Sequence, residues 1–366
     1  MATDSGSAAG LPLPDFRASN FRCFSELELP KLGRVNLIVG KNNVGKTTLL
    51  EAIRIYASLG SPREIANILR EWHDDRPIVA VEAGELTSAS YPLLRIFFGR
   101  SSFRSLAGSI ELGPADARIT ITPRWKRDGV DDYAPPETAV NSSEKWAPGI
   151  DIQSVRRVFV PLAKPFGSYS DFYFDEQLTK IPLQLISAKG IDPLSLSQFW
   201  DRIALSESED RVYECLKTFR PRIARLSLVG EGGGPSRLPM ARIEKSTSPI
   251  PVASLGAGVE RALGITLALV NAENGILLID EFEQGLHYTT LLDVWRFLIP
   301  VATELNVQVF ATTHSNDCVD AFSIAASESN EEGVLIRLQE RGGKIEAVTL
   351  DEEQTERARE AEIEVR

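Results

Sequence analysis

Residues 40–48 read Gly-Lys-Asn-Asn-Val-Gly-Lys-Thr-Thr, matching the phosphate-cradling pattern G-x-x-x-x-G-K-[ST] at every required position. In such a loop the backbone from Gly40 through Asn42, Asn43, Val44, Gly45 and on to Thr48 wraps phosphate oxygens. Lys46 neutralises the β and γ phosphates, and the Thr47 hydroxyl ligates Mg²⁺. The flanks suit this chemistry. Residues 34–39 (RVNLIV) form an apolar strand run, and in residues 48–56 Leu49, Ala52, Ile53 and Tyr56 recur at helical spacing. A strand feeding a helix through this loop aims backbone N–H groups and a helix N-terminus at an anion. The expected ligands are ATP and Mg²⁺.

Three further segments could complete such a site. Ile276–Ile279 is an apolar strand ending in Asp280 and Glu281, the end at which an open parallel sheet binds ligands. Asp280 would hold Mg²⁺, directly or through water, and Glu281 would polarise the attacking water. An isolated Asp-Glu pair may equally cap a helix; the upstream phosphate loop decides for the catalytic reading. The run 309–315 (VFATTHS) places His314 at the same edge, within expected reach of a γ phosphate. A lone histidine is more often structural, and here too the context favours the site. Residues 253–261 (ASLGAGVER) are small, glycine-rich and N-terminal to a helix, which makes a second anion-binding loop. One chain cannot easily bring two such loops to one phosphate. Ser254, Gly256 and Gly258 are therefore expected to complete the site of a second subunit, with ATP sandwiched in at least a dimer.

These residues need a sheet to position them. The spacing predicts a strand pair over 16–29, helices over 259–270 and 291–303, strands over 275–279 and 307–312, and a hairpin of 334–338 with 345–350. Strand and helix alternate as a parallel sheet requires. Between 61 and 250 the chain is rich in Pro and Gly, with strand-like runs at 78–81, 93–98, 119–122 and 155–160, a helix over 197–219 and a strand over 223–229. Recurrent prolines exclude a long coiled-coil arm. The expected organisation is a loose tail 1–15, core lobes 16–60 and 251–350, an inserted region 61–250, and a charged helix 351–366.

Composition bounds the rest. With 366 residues and 43% hydrophobic, one large α/β domain or a domain with a sizeable insertion is expected. The net charge of −11 argues against indiscriminate nucleic-acid binding. Cys23, Cys215 and Cys318 have no pairing pattern, no signal peptide or membrane span is legible, and the histidines are too scattered for zinc. A reduced, cytoplasmic protein is expected.

In order, the phosphate loop, S-L-G-A-G-V-E-R, L-L-I-D-E-F-E-Q-G-L-H and A-T-T-H-S resemble an ABC-type ATPase head of the RecF/SMC branch. With N-F-R-C-F at residues 20–24, the chain resembles, within that branch, the AAA-type ATPases related to the overcoming-lysogenization-defect nucleases and AbiEii-like defence proteins. The resemblance spans about residues 16–366 and is vague between 61 and 250. It implies a P-loop head with a mostly parallel core sheet, an antiparallel β subdomain and an inserted α+β region. It also implies ATP-dependent dimerisation, slow hydrolysis, and a D-loop of Glu283, Gly285 and His287 that touches the partner. The nuclease members carry a Toprim domain beyond this core, and the fifty-odd residues after His314 leave no room for one, so the chain is expected not to be a nuclease. The glutamine of transporter-type heads has no clear counterpart; Gln184 and Gln153 are the candidates.

The leading functional expectation is an ATP-driven switch in anti-phage defence that controls a separate nuclease or toxin effector. The alternative is an ATP-gated DNA clamp in repair or chromosome maintenance. It would use basic residues at Arg118, Arg124, Lys126 and Arg127, at Arg220, Arg222 and Arg225, and at Arg237, Arg242 and Lys245. Their other reading is solvated strands balanced by nearby acids. The ATP-binding half of a transporter is disfavoured by the missing glutamine and the divergent 254–258 loop.

Overall fold

The computed structural model describes residues 10–75, 87, 91–100, 103, 108–134, 146–162, 181–217, 219, 222–230, 237–329 and 333–350. The N-terminal part holds β1 (Phe16–Phe21), β2 (Phe24–Leu29), β3 (Val35–Val39), α1 (Lys46–Ala57) and α2 (Pro62–Glu71). Next come β4 (Ile110–Gly113), β5 (Ile119–Arg127), β6 (Tyr133–Ala134), β7 (Trp146–Gln153), β8 (Arg157–Pro161) and β9 (Leu183–Ile186). Two helices, α3 (Pro193–Ile203) and α4 (Glu207–Leu216), precede β10 (Ile223–Gly230), β11 (Arg237–Ile243) and β12 (Ile250–Pro251). The chain then runs through α5 (Ala257–Val270), β13 (Ile276–Ile279), α6 (Tyr288–Glu304), β14 (Gln308–Thr312), α7 (Asn316–Ser327), β15 (Gly333–Arg341) and β16 (Lys344–Leu350).

Three sheets result. The central one has the order β16-β15-β3-β14-β13-β9. Its strands β15, β3, β14, β13 and β9 run parallel, and only β16 is antiparallel. A seven-stranded antiparallel sheet joins β2, β1, β4, β5, β7 and β8 with β6 beside β5, and β10-β11-β12 form a small third sheet.

The central strands read as continuous apolar runs because both faces are covered. Val35, Leu37, Leu277, Ile279, Val309 and Ala311 face a core shared with α3 to α7. Ile38, Ile276, Leu278 and Phe310 face a second core made with α1 and the antiparallel sheet. The carboxyl ends of β3, β13 and β14 thus lie side by side in a rigid, doubly packed layer.

Several expectations change. The stretch 61–250 is not one separate insertion: β4 pairs with β1, and β9 pairs with β13 as an edge of the central sheet. Residues 93–98 are not a strand, because Pro92 opens a 3₁₀ turn over Pro92–Ile96. The single helix expected over 197–219 is two, broken at Leu205, which sits at φ 65° and is 99% exposed. The tail 1–15 is tied down before its end. Leu13 is fully buried, and the Gln308 side chain accepts from its N–H (2.9 Å) and donates to its carbonyl (2.7 Å). The strand expected at 78–81 and the helix over 351–366 lie outside the described residues.

Candidate functional site

The loop of residues 40–45 is shaped by backbone that only glycine tolerates. Gly40 (φ 146°) and Gly45 (φ 89°) lie in the left-handed half of conformational space. A Cβ on Gly40 would meet the Leu338 carbonyl at 2.4 Å, and one on Gly45 would meet Cys23 Sγ at 2.7 Å and the Phe24 ring at 2.8 Å. The segment N-F-R-C-F is therefore the wall on which the loop rests. Helix α1 begins at Lys46 with no side-chain cap and no acid in its first turn, so its N-terminal N–H groups remain free for an anion. Lys46 is 6% exposed, and its ammonium donates to the Gly40 and Lys41 carbonyls (2.6 and 2.9 Å) and lies 3.2 Å from His314 Nδ1. Burial pushes its pKa below the ordinary lysine value.

Across the sheet edge, the Thr47 hydroxyl lies 3.2 and 3.1 Å from the two oxygens of Asp280. Thr312, the last residue of β14, donates its hydroxyl to Asp280 (2.6 Å) and accepts from the Glu281 N–H (2.9 Å). Glu281 adopts φ 50°, a left-handed conformation rare outside glycine that clusters at functional sites. Its carboxylate is 3.8 Å from His314 Nε2. A hydroxyl and a carboxylate converging here fit Mg²⁺, which prefers oxygen ligands and commonly takes only one or two carboxylates alongside phosphate and water.

Glu283 and Arg261 brace this edge. Glu283 accepts from the Thr313 hydroxyl (2.7 Å) and the His314 N–H (2.8 Å) with its two oxygens. Of the three residues that the resemblance places in a D-loop, Glu283 is half-buried, and Gly285 and His287 are exposed. Arg261, 6% exposed on α5, donates to the Ser187 carbonyl (2.8 Å) and to the carbonyls of Asp280 (2.9 Å) and Glu281 (2.8 Å). Burial lowers its pKa to about 10. It remains cationic near neutral pH and locks α5 to the acidic end of β13.

The loop at residues 254–258 is different. Ser254 and Gly256 are exposed, Gly256 has φ 106°, and α5 starts without a side-chain cap. Among the described residues no hydrogen bond links this loop to the phosphate loop; its contacts are with the turn at Gly285 and Leu286. Neither glutamine candidate reaches the site. Gln184 donates to the Asn271 carbonyl (3.2 Å), and Gln153 lies in the antiparallel sheet and donates to Asp151 (2.8 Å). The basic residues in and just before β5 carry their own acids: Arg118 with Glu111, Arg124 with Asp151, Lys126 with Asp131, Arg127 with Asp132. Arg237 pairs with Asp201, and Arg220 lies outside the described residues.

Residues 35–320 match the family described as "AAA domain, putative AbiEii toxin, Type IV TA system". The chain belongs to this family. This AbiEii-type AAA protein is also 22% identical over 334 residues to a Helicobacter pylori protein named "ATP/GTP phosphatase", covering 83% of this chain and 85% of that one. An uncharacterized protein of Methanocaldococcus jannaschii is 38% identical over 88 residues, 24% of this chain and 77% of that protein. Among solved structures, an Smc head bound to the C-terminal winged-helix domain of ScpA aligns with a TM-score of 0.50 and 13% identity, over 93% of this chain and 98% of that one. The AbiEii-type AAA chain thus has an SMC-head-like α/β fold and carries the AAA domain of its family. No helix among its described residues is long and apolar enough to cross a membrane.

Within this AbiEii-type head, the sequence signalled no role for Thr312 or Arg261, nor the internal bonds of Glu283. All three lie inside motifs that were legible, A-T-T-H-S, S-L-G-A-G-V-E-R and D-E-F-E-Q-G-L-H, yet their targets are far along the chain.

Proposed function

We propose that this chain hydrolyses Mg-ATP slowly as a dimeric switch, and that it regulates a separate effector, a nuclease or toxin, in an anti-phage defence system. The observation that carries the catalytic part is the convergence of Thr47, Asp280, Thr312, Glu281 and His314 at one sheet edge beside the phosphate loop. The name of the Helicobacter pylori relative supports nucleoside triphosphate hydrolysis, and the family's description, which names a putative toxin and a type IV TA system, supports a link to a toxin system.

In this reading the free N–H groups at the start of α1 and Lys46 hold the phosphates, and Thr47 and Asp280 would hold Mg²⁺. Bound there, the metal would neutralise charge on the β and γ oxygens. Thr312 orients the Asp280 carboxylate and fixes the backbone of Glu281. Glu281 accepts a proton from the attacking water, and His314, braced by Glu283, faces the γ phosphate. A second copy presents Ser254, Gly256, Gly258 and the N-terminus of its α5 to the same phosphates. The clamp alternative finds less support, since five of its basic residues, Arg118, Arg124, Lys126, Arg127 and Arg237, are each paired with a neighbouring carboxylate.

The experiment is phosphate release from ATP with and without Mg²⁺, by wild type and Glu281→Gln. Metal-dependent release in wild type alone is expected. Equal release by both would remove Glu281 from its role, and none by either would remove the hydrolase reading.

A further inference from the structure

The sheet β10-β11-β12 carries a face with no assigned use. Its register pairs Arg225 with Arg242, Ser227 with Met240 and Val229 with Leu238, so these six side chains share one side of the sheet. The opposite side buries Leu226, Leu228 and Ala241 in the core. The outer side is open: Val229 is 50% and Leu238 37% exposed, and the six residues line a shallow groove of about 400 Å³.

Two arginines directly across an antiparallel pair repel each other. Among the described residues neither has an ion pair, whereas the basic residues of β5 and Arg237 each do. Next to this uncompensated pair lies an apolar strip of Val229, Leu238 and Met240. We propose that the face docks an acidic segment of a partner protein, with carboxylates on Arg225 and Arg242 and an apolar side chain on the strip. Guanidinium forks suit carboxylates in bidentate geometry. A nucleic-acid backbone fits less well. It calls for a longer run of cations, and single strands favour aromatic stacking platforms that this groove lacks. The segment lies on the face rather than adding a strand, because the Tyr213 hydroxyl already occupies the N–H (2.9 Å) and carbonyl (3.2 Å) of Leu226 on the free edge of β10.

The position gives docking a consequence. Met240 in the groove is paired with Pro251 of β12, which leads through residues 252–255 into the 254–258 loop and α5. A partner held on this face would bear on the loop assigned above to the second subunit's site; this coupling rests on the proposed ATPase function, and the docking itself does not.

The test uses the full chain without nucleotide and a fluorescein-labelled dodecamer alternating glutamate and leucine. A lysine–leucine dodecamer and a single-stranded DNA 20-mer serve as comparisons, all followed by fluorescence anisotropy. Saturable binding of the acidic peptide, weakened tenfold or more in Arg225→Glu/Arg242→Glu and also in Leu238→Ser, is expected. Both variants change exposed residues, and thermal melts matching wild type check that they fold. Equal binding of the acidic peptide by wild type and the double variant would overturn the proposal. So would its failure to bind at all, or arginine-dependent binding of the DNA in its place. Phosphate release measured on the same samples keeps the two readings apart, since either can fail alone.

Discussion

At the carboxyl edge of the central sheet the charged side chains are held from within. Lys46 is caught by two carbonyls of its own loop, Asp280 by Thr47 and Thr312, Glu283 by Thr313 and the His314 backbone. A short 3₁₀ turn beyond β12, by contrast, the 254–258 loop has glycine-rich, exposed backbone and a helix start with no internal cap. The first region is preorganised to receive charge; the second is built to deliver dipoles to charge it does not contain. Arg261 connects them, since it ties α5 to the carbonyls of Asp280 and Glu281. Whatever grips the start of α5 is therefore mechanically linked to the acids.

The contrast predicts graded effects. Lys46→Ala should remove nucleotide binding and lower turnover by about 10³-fold; isothermal titration with ATP and phosphate release read the two losses. Retained tight binding would show that the edge does not depend on the buried Lys46 ammonium. Glu281→Gln should lower turnover by about 10²–10⁴-fold while ATP still binds, and parallel loss of binding would mean the glutamate acts on the ground state.

Arg261→Ala should destabilise the fold by about 1–3 kcal/mol in urea titrations, because buried carbonyls lose their donor. Arg261→Lys should not restore it, since an ammonium cannot match the planar fork that spans these carbonyls. A fully stable alanine variant would separate the two regions again. Smallest of all, a thiol reagent at pH 8 should label half-buried Cys23 ahead of Cys215 and Cys318, which are buried and pushed up to about 12. Equal labelling of all three would mean that the cores around α4 and α7 open as readily as the wall behind the phosphate loop.

What the sequence made legible follows the range of the interactions. The phosphate loop, the strand ending in Asp280 and the hairpin of β15 and β16 are local patterns, so neighbouring residues carry the whole signal. Arg261 was unreadable as a brace because its acceptors lie at Ser187, Asp280 and Glu281, brought together only by the pairing of β9 with β13. The bonds of Glu283 to the Thr313 hydroxyl and the His314 N–H were unreadable for the same reason, since about thirty residues separate them. The break at Leu205 carries neither glycine nor proline at residues 204–206, so periodicity alone ran straight through it. The strand β9 was missed for the converse reason: its Leu183–Ile186 run is too short to stand out without β13 beside it.

The most direct test of the account is the solution mass of Glu281→Gln by light scattering, across a concentration series, with and without Mg-ATP. The account predicts a nucleotide-dependent rise to at least a dimer, abolished by Ser254→Arg, whose exposed position should leave the monomer's stability within about 0.5 kcal/mol of the parent. A mass unchanged by ATP, or a rise that survives Ser254→Arg, would contradict a site completed by the loop of a second copy.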